Sequence, residues 1–428
     1  MRVILIFLVF FYMYTPDLQF LPLSIRVLTG LLGLSLYFID IVGNAFKTGQ
    51  DTFFNKNILS FWLCLFLSIL YCYGSYFYNL STDLPYITSL FIRFAILFGS
   101  AYFIVRLIRI SKIEFNIYHI LNTIITVTFI QCVIALLLFV SPEVKSVFDS
   151  IQKTARNPLL LALMTKDIGS YRILGFGTEF FGAAIESSFS LISIIAIVRS
   201  QHELKGMKII RYGFTFLFIA FVGILMSRTT FIGILISLIF LHLPNQKNIA
   251  RSKFLRFIYL ILLLMVFSIP YIISNAKYQR TFTFAFEAFI NYKDAGTLST
   301  QSSDALKESY YWPQSVKTYI IGDGYMSDPA HPEYYYMATD VGFLRLIYFG
   351  GIGYLLIWFS GTIAICKVVY NKIGKESWFF LYSIVLVTYL LIVNLKGLAD
   401  FYNQLLLVFM VAVTSSAKLD LIIEEKSA

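Results

Sequence analysis

The sequence predicts an all-α fold: a polytopic transmembrane helix bundle of about 12 spans, with two large loops on one face. Three observations lead there. Hydrophobic residues make up 58% of the chain and charged ones only 14%, against about 25% charged in a soluble domain. The apolar residues fall in runs of roughly 20, the length at which a helix crosses hydrocarbon while satisfying its own backbone hydrogen bonds. Between the runs, short connectors alternate between basic and almost uncharged, as membrane orientation requires.

Each element follows from its run of residues. Val3–Phe20 carries no small-residue cleavage site after it, so it reads as a retained first helix rather than a leader. Leu23–Ala45, Ile58–Tyr78, Pro85–Ile108 and Phe115–Val140 are apolar runs of spanning length. A polar stretch, 141–180, separates them from Phe181–Val198. Ile210–Met226 and Thr229–Leu243 are short and share a tight turn, so they form two spans or one re-entrant pair. Phe254–Ile273 leads into a second polar stretch, 275–339. Asp340–Val369, Trp378–Val393 and Asp400–Val413 complete a single integral membrane domain, 1–428.

Charge orients the bundle. With the amino terminus inside, the inner connectors carry Lys47 and Lys56, then Arg106, Arg109 and Lys112, then Arg199, Lys205, Lys208 and Arg211. Later ones carry Lys247, Arg251, Lys253 and Arg256, then Lys367, Lys372 and Lys375. The short outer connectors hold little beyond Arg26, Arg228 and Lys396. Both termini are therefore expected in the cytoplasm and both long loops outside it. The net charge of +10 is spread over these connectors, which argues against nucleic acid as a partner. The four cysteines lie inside apolar runs and read as small core residues, not as a disulfide framework or metal site.

The outer face holds the candidate chemistry. Arg172 stands where the first loop re-enters the membrane, and its planar fork suits a phosphate or diphosphate. Gly175 and Gly177 allow close backbone approach or a sharp turn. Glu179 and Glu186 share one helix face, two turns apart, and an acid below the membrane surface is a functional candidate. Arg228 sits in a tight outer turn, where arginine is rare. Arg93, in the outer half of its span, must face the bundle or reach outward. The stretch Gly322-Asp323-Gly324, His331, Asp340 and Arg345 forms a third block. Asp340 could cap a helix as readily as act on a substrate. Gly350, Gly351 and Gly353 suit close helix packing. His331 is the one histidine expected outside, so an outer zinc site of several histidines is not available. Trp312 and Tyr325 could stack on sugar rings or belong to the interfacial aromatic belt.

Three of these stretches together resemble the bacterial O-antigen polymerase and O-antigen ligase superfamily of membrane glycosyltransferases. They are Arg172–Gly175–Glu179, Ser227-Arg228-Thr229, and the block from Gly322-Asp323-Gly324 through Asp340-Val341-Gly342 to Gly353. The resemblance implies a polyprenyl-diphosphate-linked glycan as donor, held by outer-face arginines, with no metal or other cofactor. It matches Arg172 and Arg228 to the family's basic positions, which hold the diphosphate; the residues themselves add Arg345 and Arg93 as candidate diphosphate ligands and Glu179, Asp323, His331 and Asp340 as candidate bases. Ligases of the family carry a histidine near the start of the Asp340 block. Here His331 lies nine residues ahead of Asp340, which favours the polymerase branch. The implied setting is a bacterial inner membrane, with membrane lipids, a chain-length regulator and a flippase as companions. The rivals are a ligase, differing only in acceptor, and a flippase of lipid-linked sugars.

Overall fold

A computed structural model describes residues 2–45, 56–111, 115–152, 172–177, 180–201, 203–243, 249–260 and 276–414. Every regular element among them is helical. The long elements are α1 (Arg2–Tyr14), α2 (Ile25–Ala45), α3 (Lys56–Asn79), α4 (Leu84–Ile110), α5 (Ile117–Val140), α6 (Pro142–Ile151), α7 (Phe180–Ser200), α8 (Gly206–Met226) and α9 (Thr230–His242). A helical stretch follows at 249–260. Then come α10 (Ala276–Ala285), α11 (Glu287–Ala295), α12 (Gln301–Glu308), α13 (Val316–Ile320), α14 (Gly342–Lys372), α15 (Ser377–Val393) and α16 (Tyr402–Thr414).

Seven of these, α2, α3, α4, α5, α7, α8 and α14, are long and apolar enough to cross a membrane. A helix of 21 residues such as α8 rises roughly 30 Å, the thickness of the hydrocarbon core. Their outward faces are greasy: Leu32, Phe38, Ile39 and Val42 of α2 are each more than half exposed. Water would penalise so wide an apolar surface, and lipid would not. The protein is an α-helical membrane protein.

α7 is the axis of the bundle. Nearly all of its residues from Ala183 to Arg199 are buried, because its small side chains let neighbouring helices approach closely. Ser190 donates to Thr128 Oγ1 of α5 at 2.8 Å, and Ser193 shares a 2.7 Å hydrogen bond with Tyr382 of α15. α2 and α4 pack closer still. A Cβ on Gly33 would fall 1.8 Å from the carbonyl oxygen of Gly99, and Thr29 bonds Ser100 at 2.7 Å beside that contact. Gly33→Leu is therefore expected to separate α2 from α4, lowering the melting temperature and the yield of folded protein in detergent. Ser35→Leu, one turn-face away and exposed, should leave both unchanged.

Several expected boundaries move. The first helix ends at Tyr14, not Phe20. The tenth expected span starts at Gly342 rather than Asp340 and breaks at Gly350 and Gly351, where φ reaches +70° at Gly351. That break seats the turn at Gly322: Gly324 N–H donates to Phe349 O at 3.1 Å, and Ser75 Oγ donates to the same oxygen at 2.8 Å. Gly353 has the expected packing role, since a Cβ there would stand 2.2 Å from Tyr71 Oη of α3, whereas Gly350 and Gly351 form the break itself. The second polar stretch is not an irregular loop, since it contains α10 to α13. Its aromatic residue Tyr310 and Leu306 pack on a small apolar cluster of Val341, Leu344 and Tyr348. Of the expected span Phe254–Ile273, residues 261–273 lie outside the described residues, as do 153–171 of the first loop.

Candidate functional site

Three chain segments that are distant in sequence meet at one end of the bundle, and each is held there for its own reason. The first is 172–177. Ile173 is buried and its N–H donates to Leu225 O at the end of α8, at 3.3 Å. Phe176 packs edge-on to Phe148, and its carbonyl accepts from Gln131 Nε2 at 2.9 Å. These anchors fix Arg172 beside the α8–α9 turn. The second segment is that turn. Thr229 and Thr230 are buried, and Thr230 Oγ1 donates to Gly223 O at 2.9 Å, which leaves Arg228 little room to move.

The third segment is the α15–α16 turn. Asn394 is fully buried. Its side-chain amide donates to Leu390 O at 2.8 Å and Ala399 O at 2.9 Å, and its side-chain oxygen accepts from Ala399 N–H at 3.1 Å. Lys396 in this turn donates to Thr229 Oγ1 at 2.9 Å. The Asp340 block joins through Gly342, where a Cβ would stand 2.4 Å from Asn394 Oδ1. Only glycine lets α14 begin this close to the turn.

The result is a concentration of positive charge. The guanidinium carbons of Arg172 and Arg228 lie 4.5 and 4.1 Å from the ring centre of Phe284 on α10. Two like charges are thus near neighbours against one aromatic ring, a geometry that cation–π attraction supports. Arg228 also pairs with Glu287, and Glu287 accepts the N–H of Gln301 at 2.8 Å. Lys396 is held down to about 8 by burial first, then by Arg228 and Arg172, with Asp340 acting in the opposite sense. Among the described residues, three cations face two carboxylates here.

Arg228 and Lys396 line a cavity of about 360 Å³. Phe231, Ile232, Phe286 and Leu298 are among its apolar lining, and Thr300 and Ser303 add hydroxyls. The lining suits an amphiphile with a compact polyanionic head, since it combines two cations with apolar side chains. Among the described residues no group of three His, Cys, Asp or Glu side chains could hold a metal ion.

Of the remaining described candidates, all but Asp340 are placed elsewhere. Arg93 on α4 pairs with Asp400, at 3.0 and 2.9 Å to its two oxygens, and Asp400 in turn accepts from Tyr402 N–H. This ion pair ties α4 to the start of α16. Arg93→Ala is expected to cost about 1–2 kcal/mol of stability, between exposed and buried pairs, and to leave anion binding at the cavity unchanged; thermal melts and ligand titration check it. Arg345 lays its guanidinium 3.6 Å from the Tyr335 ring centre and does not line the cavity. Asp323 accepts from Thr318 at 2.8 Å and Lys317 at 3.3 Å, so it fastens its own turn. Beside it, burial and Asp323 push the Tyr336 hydroxyl up to about 12. His331 is exposed and pairs with Glu333 at 3.5 Å. Asp340 is not a helix cap: Val341 occupies the N-cap position of α14, with no side-chain cap bond. Glu186 is buried on α7 and accepts from Gln404. Trp312 is exposed, and Tyr325 stacks on Tyr336 at 5.5 Å. Glu179 lies outside the described residues.

Two members of the cluster were not singled out in the sequence. Glu287 carries no signal there, since only α10 and α11 bring it to Arg228. Lys396 carries the same signal as Arg228, a cation in a short connector of the sparsely charged set. Fold and site define a class: an α-helical membrane protein with an amphiphilic, cation-lined cavity at one end. No family model matches the chain, and no curated protein or solved structure matches it.

Proposed function

We propose that this protein is a bacterial surface-polysaccharide polymerase of the O-antigen type, which transfers a polyprenyl-diphosphate-linked glycan onto the next lipid-linked repeat unit. The observation that carries the reading is the meeting of Arg172, Arg228 and Lys396 beside an apolar-walled cavity. A lipid diphosphate needs both halves of that surface.

The finer topology belongs to this proposal. About 12 spans cross the bacterial plasma membrane, both termini are cytoplasmic, and both large polar segments face outward. The cluster then lies at the outer face, where lipid-linked repeats are displayed.

The chemistry follows from the charges. The acceptor's hydroxyl oxygen bonds to the donor's anomeric carbon. The bond from that carbon to the diphosphate oxygen breaks, and its electron pair leaves with the lipid diphosphate. Fixed cations stabilise the charge that develops on the leaving group, more strongly in a partly dry site than in water. The hydroxyl proton passes to a carboxylate within reach. Of the two described acids in the cluster, Glu287 is occupied by Arg228 and Gln301. Asp340 is exposed and flanks Lys396, so we assign it as the base.

The test uses purified protein in lipid nanodiscs with lipid-linked repeats isolated from the host. A ladder of lengthening products from the repeats alone supports a polymerase. Product only on addition of a lipid A core acceptor makes the protein a ligase. Movement of intact repeats across a proteoliposome bilayer with no new glycosidic bond makes it a flippase. For topology, His331→Cys in a chain stripped of its native cysteines should react with an impermeant maleimide in intact cells; protection of that thiol until the membrane is opened overturns the outward placement.

A further inference from the structure

A second cation-lined cavity opens at the opposite end of the bundle. Lys208 and Arg211 begin α8, whereas Arg228 follows its last turn. Some 18 residues of helix separate Lys208 from the Arg228 end, roughly 27 Å of rise. The cavity measures about 590 Å³, larger than the one beside Arg228. Arg2, Lys208 and Arg211 line it together with Asn122 and Thr123, and Leu8 and Ile104 are among its apolar walls.

Four of the basic residues at this end are tied into the protein. Arg106 is paired with Asp40 at 3.2 Å. Arg199 donates to Phe240 O at 2.9 Å and Leu243 O at 2.8 Å. Arg251 donates to His242 O at 3.0 Å, and Arg109 donates to Thr414 O. Those four fasten helix ends. Among the described residues, Arg2, Lys208 and Arg211 have no carboxylate or carbonyl partner, and all three border one cavity. Arg211 rests against the Tyr212 ring at 5.2 Å, and Tyr212 is itself fixed by donating to Asn122 Oδ1 at 2.7 Å. Arg211 is thus placed at the rim by a fixed neighbour, and Arg2 and Lys208 are exposed beside it.

We infer that this cavity binds the head of an anionic phospholipid, with the phosphate between Lys208 and Arg211 and the first acyl carbons along the α1 and α4 wall. Charge complementarity selects an anion, and the apolar wall selects a lipid over a free ion. Cation pockets between membrane helices recognise anionic headgroups in this manner. The site is independent of the glycan chemistry proposed for the other end.

Native mass spectrometry and thermal melts of the full-length protein in detergent test it. The probes are dioleoyl phosphatidylglycerol, dioleoyl phosphatidylcholine and inorganic phosphate. Phosphatidylglycerol is expected to be retained and to raise the melting temperature, and phosphatidylcholine to do neither. The Lys208→Ala/Arg211→Ala variant should lose affinity by about 5-fold per cation removed. Lys367→Ala/Lys372→Ala, which removes basic residues that do not line the cavity, should retain it. If the double alanine variant does not fold, Lys208→Gln alone should still show the single-cation loss. Equal retention of both lipids, or equal loss in the Lys367/Lys372 variant, overturns the proposal. So does a phosphate response that depends on Lys208 and Arg211 without any from phosphatidylglycerol, which would make the ligand a soluble anion.

Discussion

Arg228→Ala is expected to lower glycan transfer by about 10²–10³-fold, the usual cost of removing one fixed electrostatic group from a transition state. The loss has two parts. The attraction between guanidinium and diphosphate disappears. The carboxylate of Glu287, which Arg228 neutralises, is left facing the incoming anion. Arg228→Lys should recover little, because a point charge does not reproduce a planar fork that rests on Phe284 and can bind two oxygens in parallel. Glu287→Gln is the informative companion. It removes the competing charge but keeps the shape, so donor affinity should stay level or rise. Chain-length ladders and donor titrations with the three variants separate these effects, with membrane insertion checked by fluorescence size-exclusion profiles. Ladders from Arg228→Ala equal to those of the native protein would remove this residue from the mechanism.

The second large effect is a pH limb that belongs to Lys396. Burial and two neighbouring arginines hold its ammonium down to about 8, against about 10.4 for a free lysine. Below about pH 8 it is charged and can bind the donor; above, it is neutral. The donor is a diphosphate diester, with no proton to lose in this range. Donor affinity should therefore fall by about 10-fold per pH unit above the folded pKa. Bound diphosphate raises that pKa, so kcat at saturation should decline at higher pH than kcat/KM does. Lys396→Arg should abolish the limb, and Lys396→Met should impose the high-pH affinity at every pH. Stability of the unliganded protein runs the other way. Between the folded and unfolded pKa values the unfolded chain binds more protons, so stability rises as pH climbs from about 8 toward 10.4. Affinity that falls while melting temperature rises over one pH interval is a signature that a general alkaline inactivation would not produce.

Much of the helical framework was legible in the sequence because hydrocarbon is a simple solvent. It demands long apolar runs with internal hydrogen bonding, and runs such as Ile58–Tyr78 and Phe115–Val140 correspond closely to α3 and α5. Two of the candidates stand where the sequence puts them in the chain: Arg228 in the tight α8–α9 turn, and Arg172 a few residues ahead of α7. The pairings were not legible. Arg93 looks in sequence like Arg228, an arginine near the outer surface, and only the contact with Asp400, 307 residues away, marks it as structural. Asp323 likewise looks available until Thr318 and Lys317 are seen to occupy it.

By itself, then, the sequence determined the apolar solvent its long helices suit and the identity of most of those helices. Hydropathy and charge spacing are local quantities, and a one-dimensional string carries them in full. The tertiary structure decided which cations share a cavity, bringing Lys396 and Glu287 to Arg228 and leading Arg93 and Arg345 away. Those choices depend on which helix faces meet, and that is settled by close packing at residues such as Gly33 and Gly342, where one extra carbon would not fit.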